Sequence, residues 1–293
     1  MSPQQKDAFM RLHLAVLIAG GTGLFGRLIS IGELPLVCLR VILSAFLLAL
    51  IMGCQKKLHR LPSRELMQIM GCGIILSVHW VFYYGSIKAA NVSIGAVCFA
   101  LVGFFTAVIE PLFGRHRPAW SEICLGLLSL AGIALIFGMD PRYRLGIMLG
   151  VISSLLYTIF SIFSKKVQAD SGRSSSTMLL YEMIGGGIVL SMAVPLYGMC
   201  FPDVNIIPTH SDWAWLMLFA SVFTIVPFLL QLQALRHISA FTVNLTYNLE
   251  PVYTILLAML IFGEANELNY AFYGGISLIV ASVVLQMWRS KKA

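Results

Sequence analysis

From His13 onward the chain is a succession of apolar runs, each closed by a short polar or basic break. The runs are about twenty residues long, the length a helix needs to cross a bilayer. No other feature constrains the fold as much. In hydrocarbon every backbone polar group must be satisfied within the protein, which leaves helices or closed barrels. Runs this continuous lack the alternation of barrel strands. The reading is an all-α polytopic membrane protein. The runs lie at His13–Ile31, Leu34–Gly53, Leu66–Ser86, Ile94–Phe113, Ala119–Phe137, Leu145–Ser164, Thr177–Met199, Trp213–Leu235, Arg236–Glu264 and Tyr270–Trp288, and predict ten transmembrane helices.

Composition agrees. Charged residues make up 11% of the chain, about half the share of a soluble domain, and the mean hydropathy is +0.86. The net charge of +7 does not point to nucleic acid, because the basic residues sit in small clusters between apolar runs, as in cytoplasmic loops. Of the 20 lysines and arginines, Arg27 and Arg40 lie within runs. Ten spans place Lys88, Arg142 and Arg144 on one side and the remaining fifteen on the other. That bias predicts a multi-pass protein of the cell (inner or plasma) membrane with both termini cytoplasmic. The first run reads as a retained signal anchor, since further spans follow it. Cys38, Cys72, Cys98 and Cys124 fall inside runs and read as small apolar filler, not as a disulfide framework.

The polar break Met139–Arg144 divides the runs into two sets of five, predicting units 1–140 and 141–293. An odd number of spans inverts the second set relative to the first. Laying Lys88 on Arg236 places Leu101, Thr106 and Leu112 on Leu249, Thr254 and Leu260. The expectation is two inverted five-helix repeats, a scaffold of alternating-access transporters.

The ninth run carries the most chemistry. Asn244, Asn248, Glu250 and Pro251 lie near its centre, where a carboxylate and a helix-breaking proline are costly. Glu250 could carry a proton or cap backbone groups freed by Pro251. Pro251 could act as a hinge or hold a static kink. Asn244, Tyr247 and Asn248 share a polar face with Glu250, suited to lining a cavity or to joining helices. Arg40 in the second run could grip a substrate carboxylate through a bidentate contact or pair with an acid of another helix. Glu182 in the seventh run could take part in coupling or complement a helix dipole. His79 and Trp80 in the third run offer a titratable ring and a stacking surface, and Tyr83 and Tyr84, nearer its end, suit an interfacial belt. Gly21–Gly26 matches G-x-G-x-x-G inside a membrane run with no preceding strand, so its glycines serve close helix packing. Asn91-Val92-Ser93 matches a glycosylation pattern at a tight turn. No zinc-protease or hydrolase motif is present, so the chain is not read as an enzyme and calls for no metal or cofactor.

Ten spans in two sets of five resemble the EamA family of the drug/metabolite transporter superfamily. The second half carries the closest likeness, in a small-residue turn, the Glu250-Pro251 pair and the closing Gly263-Glu264. Pro35 followed by Arg40 resembles a family spacing in the second span. In the first half Val102 and Gly103 stand opposite Glu250 and Pro251, and Glu110-Pro111 lies later in that span. A symmetric two-glutamate site is therefore not expected; one titrating site, if the protein has one, would lie on the second-half wall at Glu250. The resemblance implies a secondary transporter, in most cases an exporter, of small organic metabolites such as amino acids or their derivatives. Its partners would be that substrate and membrane lipid, with protons if transport is proton-coupled. Exchange or facilitation stays open, as do the substrate and the oligomeric state. The alternative is a lipid-linked flippase or a non-transporting membrane subunit of a larger assembly.

Overall fold

The computed structural model describes residues 3–58, 60–113, 120–139, 141–238, 240–247, 249–266 and 270–290. The elements among them are helical. In chain order the α-helices are α1 (Pro3–Ala19), α2 (Phe25–Leu28), α3 (Glu33–Cys54), α4 (Ser63–Ala89), α5 (Val92–Phe99), α6 (Leu101–Phe113), α7 (Trp120–Met139), α8 (Arg144–Ser171), α9 (Ser175–Cys200), α10 (His210–Ala220), α11 (Val226–Leu235), α12 (Ala240–Tyr247), α13 (Glu250–Phe262) and α14 (Tyr270–Ser290). A 3₁₀ turn at Thr22–Leu24 joins α1 to α2, and a π-turn at Ser221–Ile225 joins α10 to α11.

Among the described residues seven stretches are long and apolar enough to cross a membrane: Gln4–Leu28, Glu33–Cys54, Ser63–Ala89, Val92–Phe113, Pro141–Ser171, Ser175–Cys200 and His210–Leu235. Ile123–Leu135, Glu250–Phe262 and Tyr270–Ser282 are apolar but shorter. Among the described residues seven long spans stand where ten were expected. Among the described residues the ninth run holds the short helices α12 and α13, and the fifth and tenth runs form α7 and α14, of 20 and 21 residues.

Local chemistry sets the helix ends. Asn91 caps α5 by accepting from the Ile94 N–H at 2.8 Å, and Ser174 caps α9 through the Thr177 N–H at 3.1 Å. Thr209 and Asp212 form a reciprocal capping box on α10. Gly172 and Gly263 close α8 and α13 with φ of 62° and 68°, a backbone region in which a Cβ is disfavoured.

The helices pair widely across the sequence. α4 lies along α8 and α9, α3 on α9, α1 on α11, α5 on α13, α6 on α8 and α12, and α7 on α14. The distribution of polarity is that of a protein in lipid. Leu112, Leu260 and Met199 are exposed, whereas Arg40, His79, Glu182, Gln231 and Asn244 are buried. α8 carries a stripe of buried hydroxyls. Ser153 reaches α4, bonding the His79 carbonyl. Ser154 donates to the Cys98 carbonyl of α5, and Ser161 bonds Asn244 of α12. Ser164 bonds Glu182 of α9. Small hydroxyl side chains let helices approach closely while supplying interhelical hydrogen bonds of about 0.6–2 kcal/mol each.

Candidate functional site

A helix break in the first run meets the start of α13 in the ninth. In the first run, Gly20 and Gly21 follow α1. A Cβ at Gly20 would lie 2.5 Å from the Tyr253 Cβ, and one at Gly23 2.8 Å from the Thr254 methyl. The glycines therefore admit α13 against the break, where the Thr254 hydroxyl donates to the Gly20 carbonyl at 2.8 Å. In the ninth run α12 stops at Tyr247 and α13 starts at Glu250. Pro251 falls in the first turn of α13, where its missing N–H removes no helical hydrogen bond. Glu250 sits at the same N-terminus, where the backbone dipoles favour a carboxylate.

Arg40 faces this junction from α3 and is 1% exposed. Its Nε donates to the Thr224 hydroxyl at 2.7 Å and an Nη1 proton goes to Tyr84 Oη at 3.2 Å. The guanidinium stacks 3.7 Å from the Trp80 ring centre and 4.1 Å from that of Phe219. No carboxylate lies within ion-pair distance of it among the described residues. The π-turn explains the first bond: it brings Thr224 round to Arg40 while the Thr224 hydroxyl also donates back to the Phe219 carbonyl at 2.8 Å.

A cavity of about 30 Å³ opens between these groups, lined by Thr22, Arg40, His79, Trp80, Tyr83, Tyr84, Phe99, Tyr157, Phe228, Tyr247 and Glu250, with Ala19 and Pro227. That volume of accessible space has room for one or two waters. Its aromatic wall is continuous. Tyr247 approaches Tyr157 at 6.2 Å between ring centres, Tyr157 meets Phe99 at 4.9 Å and His79 at 5.0 Å, and Tyr83 meets Tyr84 at 5.2 Å. His79 is held by Ser153, whose carbonyl and hydroxyl both lie 2.9 Å from Nδ1. Five of the residues singled out from the sequence, Arg40, His79, Trp80, Tyr247 and Glu250, line this one cavity.

Residues 9–138 and 144–288 each match the family model described as "EamA-like transporter family". The chain belongs to this family. Among its relatives is an uncharacterized transporter of Bacillus subtilis, 22% identical, the match covering 98% of this chain and 92% of that one. A probable sugar phosphate/phosphate translocator of Arabidopsis thaliana is 23% identical over 78% of this chain and 75% of its own length. UDP-uronic acid transporter 1 of the same plant is 23% identical with the same coverage. A protein of known crystal structure shares the fold, with a TM-score of 0.67 and 15% identity, over 94% of this chain and 96% of that one. The chain is therefore a multi-pass membrane protein of a transporter family.

The remaining candidates of this EamA-like chain lie elsewhere. Asn244 is fully buried away from the cavity lining. Its Oδ1 accepts from Ser161 and its Nδ2 donates to Thr106, both at 2.9 Å, so it joins α12 to α8 and α6. Asn248 lies outside the described residues. Glu182 is buried between α9, α4 and α8. Its Oε1 accepts from Ser164 at 2.8 Å and its Oε2 has no partner among the described residues. Pro251 is buried in the first turn of α13.

Tyr83 and Tyr84 were expected at the membrane interface. They are 4% and 0% exposed, covered by protein, and line the cavity. Tyr157, Phe99 and Thr22 carried no sequence signal as site residues. Asn91 is buried as a helix cap, which leaves its amide inaccessible to glycosylation.

Polar contacts join helix ends at both ends of the protein. At one end the Glu264 carboxylate accepts from Val92 N–H, Ser93 N–H and Ser93 Oγ at 3.1, 3.0 and 2.6 Å, and pairs with Arg27 at 3.2 Å. There too Asp212 accepts from Ser30 N–H and Oγ at 2.8 and 2.7 Å, and Lys88 donates to the Ile29 carbonyl at 3.2 Å. At the other end Lys165 donates to the Leu235 and Ile238 carbonyls, and Arg173 pairs with Glu65 at 2.8 Å.

Proposed function

We propose that this protein is a secondary transporter that exports small organic metabolites, such as amino acids or their derivatives, by alternating access around the Arg40–Glu250 cavity. One observation carries the reading. A guanidinium from α3 and a carboxylate from α13 line a single buried cavity without forming an ion pair. Burying a cation without a paired carboxylate is costly, so the arrangement suits a ligand that brings the missing charge. A zwitterion does so at both groups. The cavity is too small for such a ligand as it stands, which fits an occluded state. Outward movement is taken from the family resemblance.

Two inverted five-helix repeats, divided at residues 140 and 141, supply the moving parts. The two stretches matched by the family model fall on either side of that boundary. Exchanging each run with the one five places later turns the α1–α11 pairing into the α8–α4 pairing, and the α3–α10 contact into the α9–α4 contact. The excess of basic residues places both termini in the cytoplasm, with the Glu264 latch outside and Lys165 inside. Glu250 is the candidate proton carrier.

A flippase or a non-transporting subunit is the competing reading. An apolar groove of about 440 Å³ lies between α3 and α9, but it shares no lining residue with the central cavity. This favours transport of a polar solute.

Counterflow in proteoliposomes loaded with a panel of amino acids, organic acids and sugar phosphates tests the proposal. Uptake of at least one labelled compound is expected, and Arg40→Ala should abolish it. Absence of counterflow across the panel, or full activity in Arg40→Ala, refutes it.

A further inference from the structure

We propose that the hydroxyls of Tyr83, Tyr157 and Tyr247, together with Arg40, form an oxyanion-binding site that grips the carboxylate or phosphate end of the transported molecule. This rests on the transport reading above and deepens it. Tyr83 and Tyr247 line the cavity, and the Oη of each is buried with no hydrogen-bond partner among the described residues. An unsatisfied buried hydroxyl costs about 1–3 kcal/mol, so two on one small cavity call for a ligand or ordered water. Tyr157 Oη accepts from Gln231 Nε2 at 2.9 Å, which leaves its own proton to donate. Tyr84 differs: it accepts from Arg40 and donates to the Thr22 carbonyl at 3.3 Å, and so is saturated.

Arg40 decides the sign of the ligand. A guanidinium has five N–H groups. One goes to Thr224 and one to Tyr84, leaving three uncommitted among the described residues. A ligand that accepts hydrogen bonds satisfies these N–H groups and the three hydroxyls together. A ligand that only donates satisfies Glu250 and leaves Arg40 unmatched. Arg40 itself is held by the Trp80 and Phe219 rings and by its bonds to Thr224 and Tyr84, so little of its freedom is left to lose when a ligand arrives, which favours planar, bidentate recognition. The aromatic wall that carries the three hydroxyls would enclose the rest of the molecule.

The test uses purified full-length protein in detergent, with binding read by thermal shift and tryptophan quenching. Three probes separate the charges: 3-phenylpropanoate, phenyl phosphate and phenethylamine. At least one of the two anions should bind and phenethylamine should bind far more weakly. Tyr83→Phe and Tyr247→Phe should each weaken the anion about tenfold, the effect of losing one hydrogen bond to a charged group. Both should leave the melting temperature of the empty protein unchanged or raised, because each removes an unsatisfied group while keeping the ring. Tyr253→Phe, off the cavity, should change neither. The idea is overturned if neither anion binds, if phenethylamine binds as well as the anions, or if the two Phe variants keep full anion affinity. It is also overturned if those variants lower the melting temperature, since the hydroxyls would then be structural. Counterflow of some compound alongside any of these results would leave the transporter reading intact and remove this one.

Discussion

Glu250 and Arg40 were conspicuous in the sequence because a charge inside an apolar run needs a reason. Their depth followed from counting residues along a helix, but their partners did not. The structure gives Arg40 two close aromatic rings and two hydrogen-bond acceptors in place of a carboxylate. Arg40→Lys should therefore lose at least tenfold in counterflow rate, because an ammonium cannot stack flat on Trp80 while reaching Thr224 and Tyr84. For Glu250 the test is the proton. Proteoliposomes carrying Glu250→Gln should retain exchange of substrate for substrate but lose its acceleration by an imposed pH gradient. Gradient-driven uptake equal to the wild type in that variant would remove Glu250 as the carrier. Tyr83 and Tyr84 mark the limit of sequence reading at single positions. Their place near the end of a run suggested the lipid interface, but position along a helix does not say what packs over the side chain.

Helix breaks and close approaches account for the next level. The proline of the ninth run announced a discontinuity, and α13 does begin beside Pro251. The break in the first run was less legible. Its glycines read as packing residues, which they are, yet they also end α1 and admit Tyr253 and Thr254. The Gly185–Gly187 run behaves similarly, because α4 and α9 cross where a Cβ on Gly73 would overlap the Glu182 carbonyl oxygen and one on Gly186 would overlap Ser77 Oγ. Gly73→Ala should lower stability by about 1–3 kcal/mol through overpacking, seen as a lower melting temperature in detergent, whereas Gly71→Ala, which meets nothing within 4 Å, should not. The hydroxyl stripe of α8 escaped notice in the sequence, although Ser154, Thr158 and Ser161 stand at helical spacing. Serine and threonine are common enough in membrane helices that spacing alone does not distinguish a stripe from filler.

In the whole molecule the Glu264 latch matters most, because one carboxylate joins the end of α13 to the start of α5 and to Arg27. If that end faces outward, Glu264→Gln should loosen it and shift the population toward an outward-open form. A cysteine introduced at Thr22 in a background lacking the six native cysteines reports the shift. An impermeant thiol reagent added outside should label it several-fold faster in Glu264→Gln than with Glu264 intact, and equal labelling would argue that the latch does not gate the cavity. By itself the sequence determined the membrane, the helical class, the apolar runs and which polar residues lie at depth, because hydrocarbon permits few ways to satisfy a backbone and makes each buried charge conspicuous. Only the tertiary structure decided which of those residues meet. Arg40, His79, Trp80, Tyr247 and Glu250 share a cavity, while Asn244 and Glu182 face other helices. The difference lies in rotation and crossing about each helix axis, set by glycine contacts and interhelical hydrogen bonds between residues far apart in the chain.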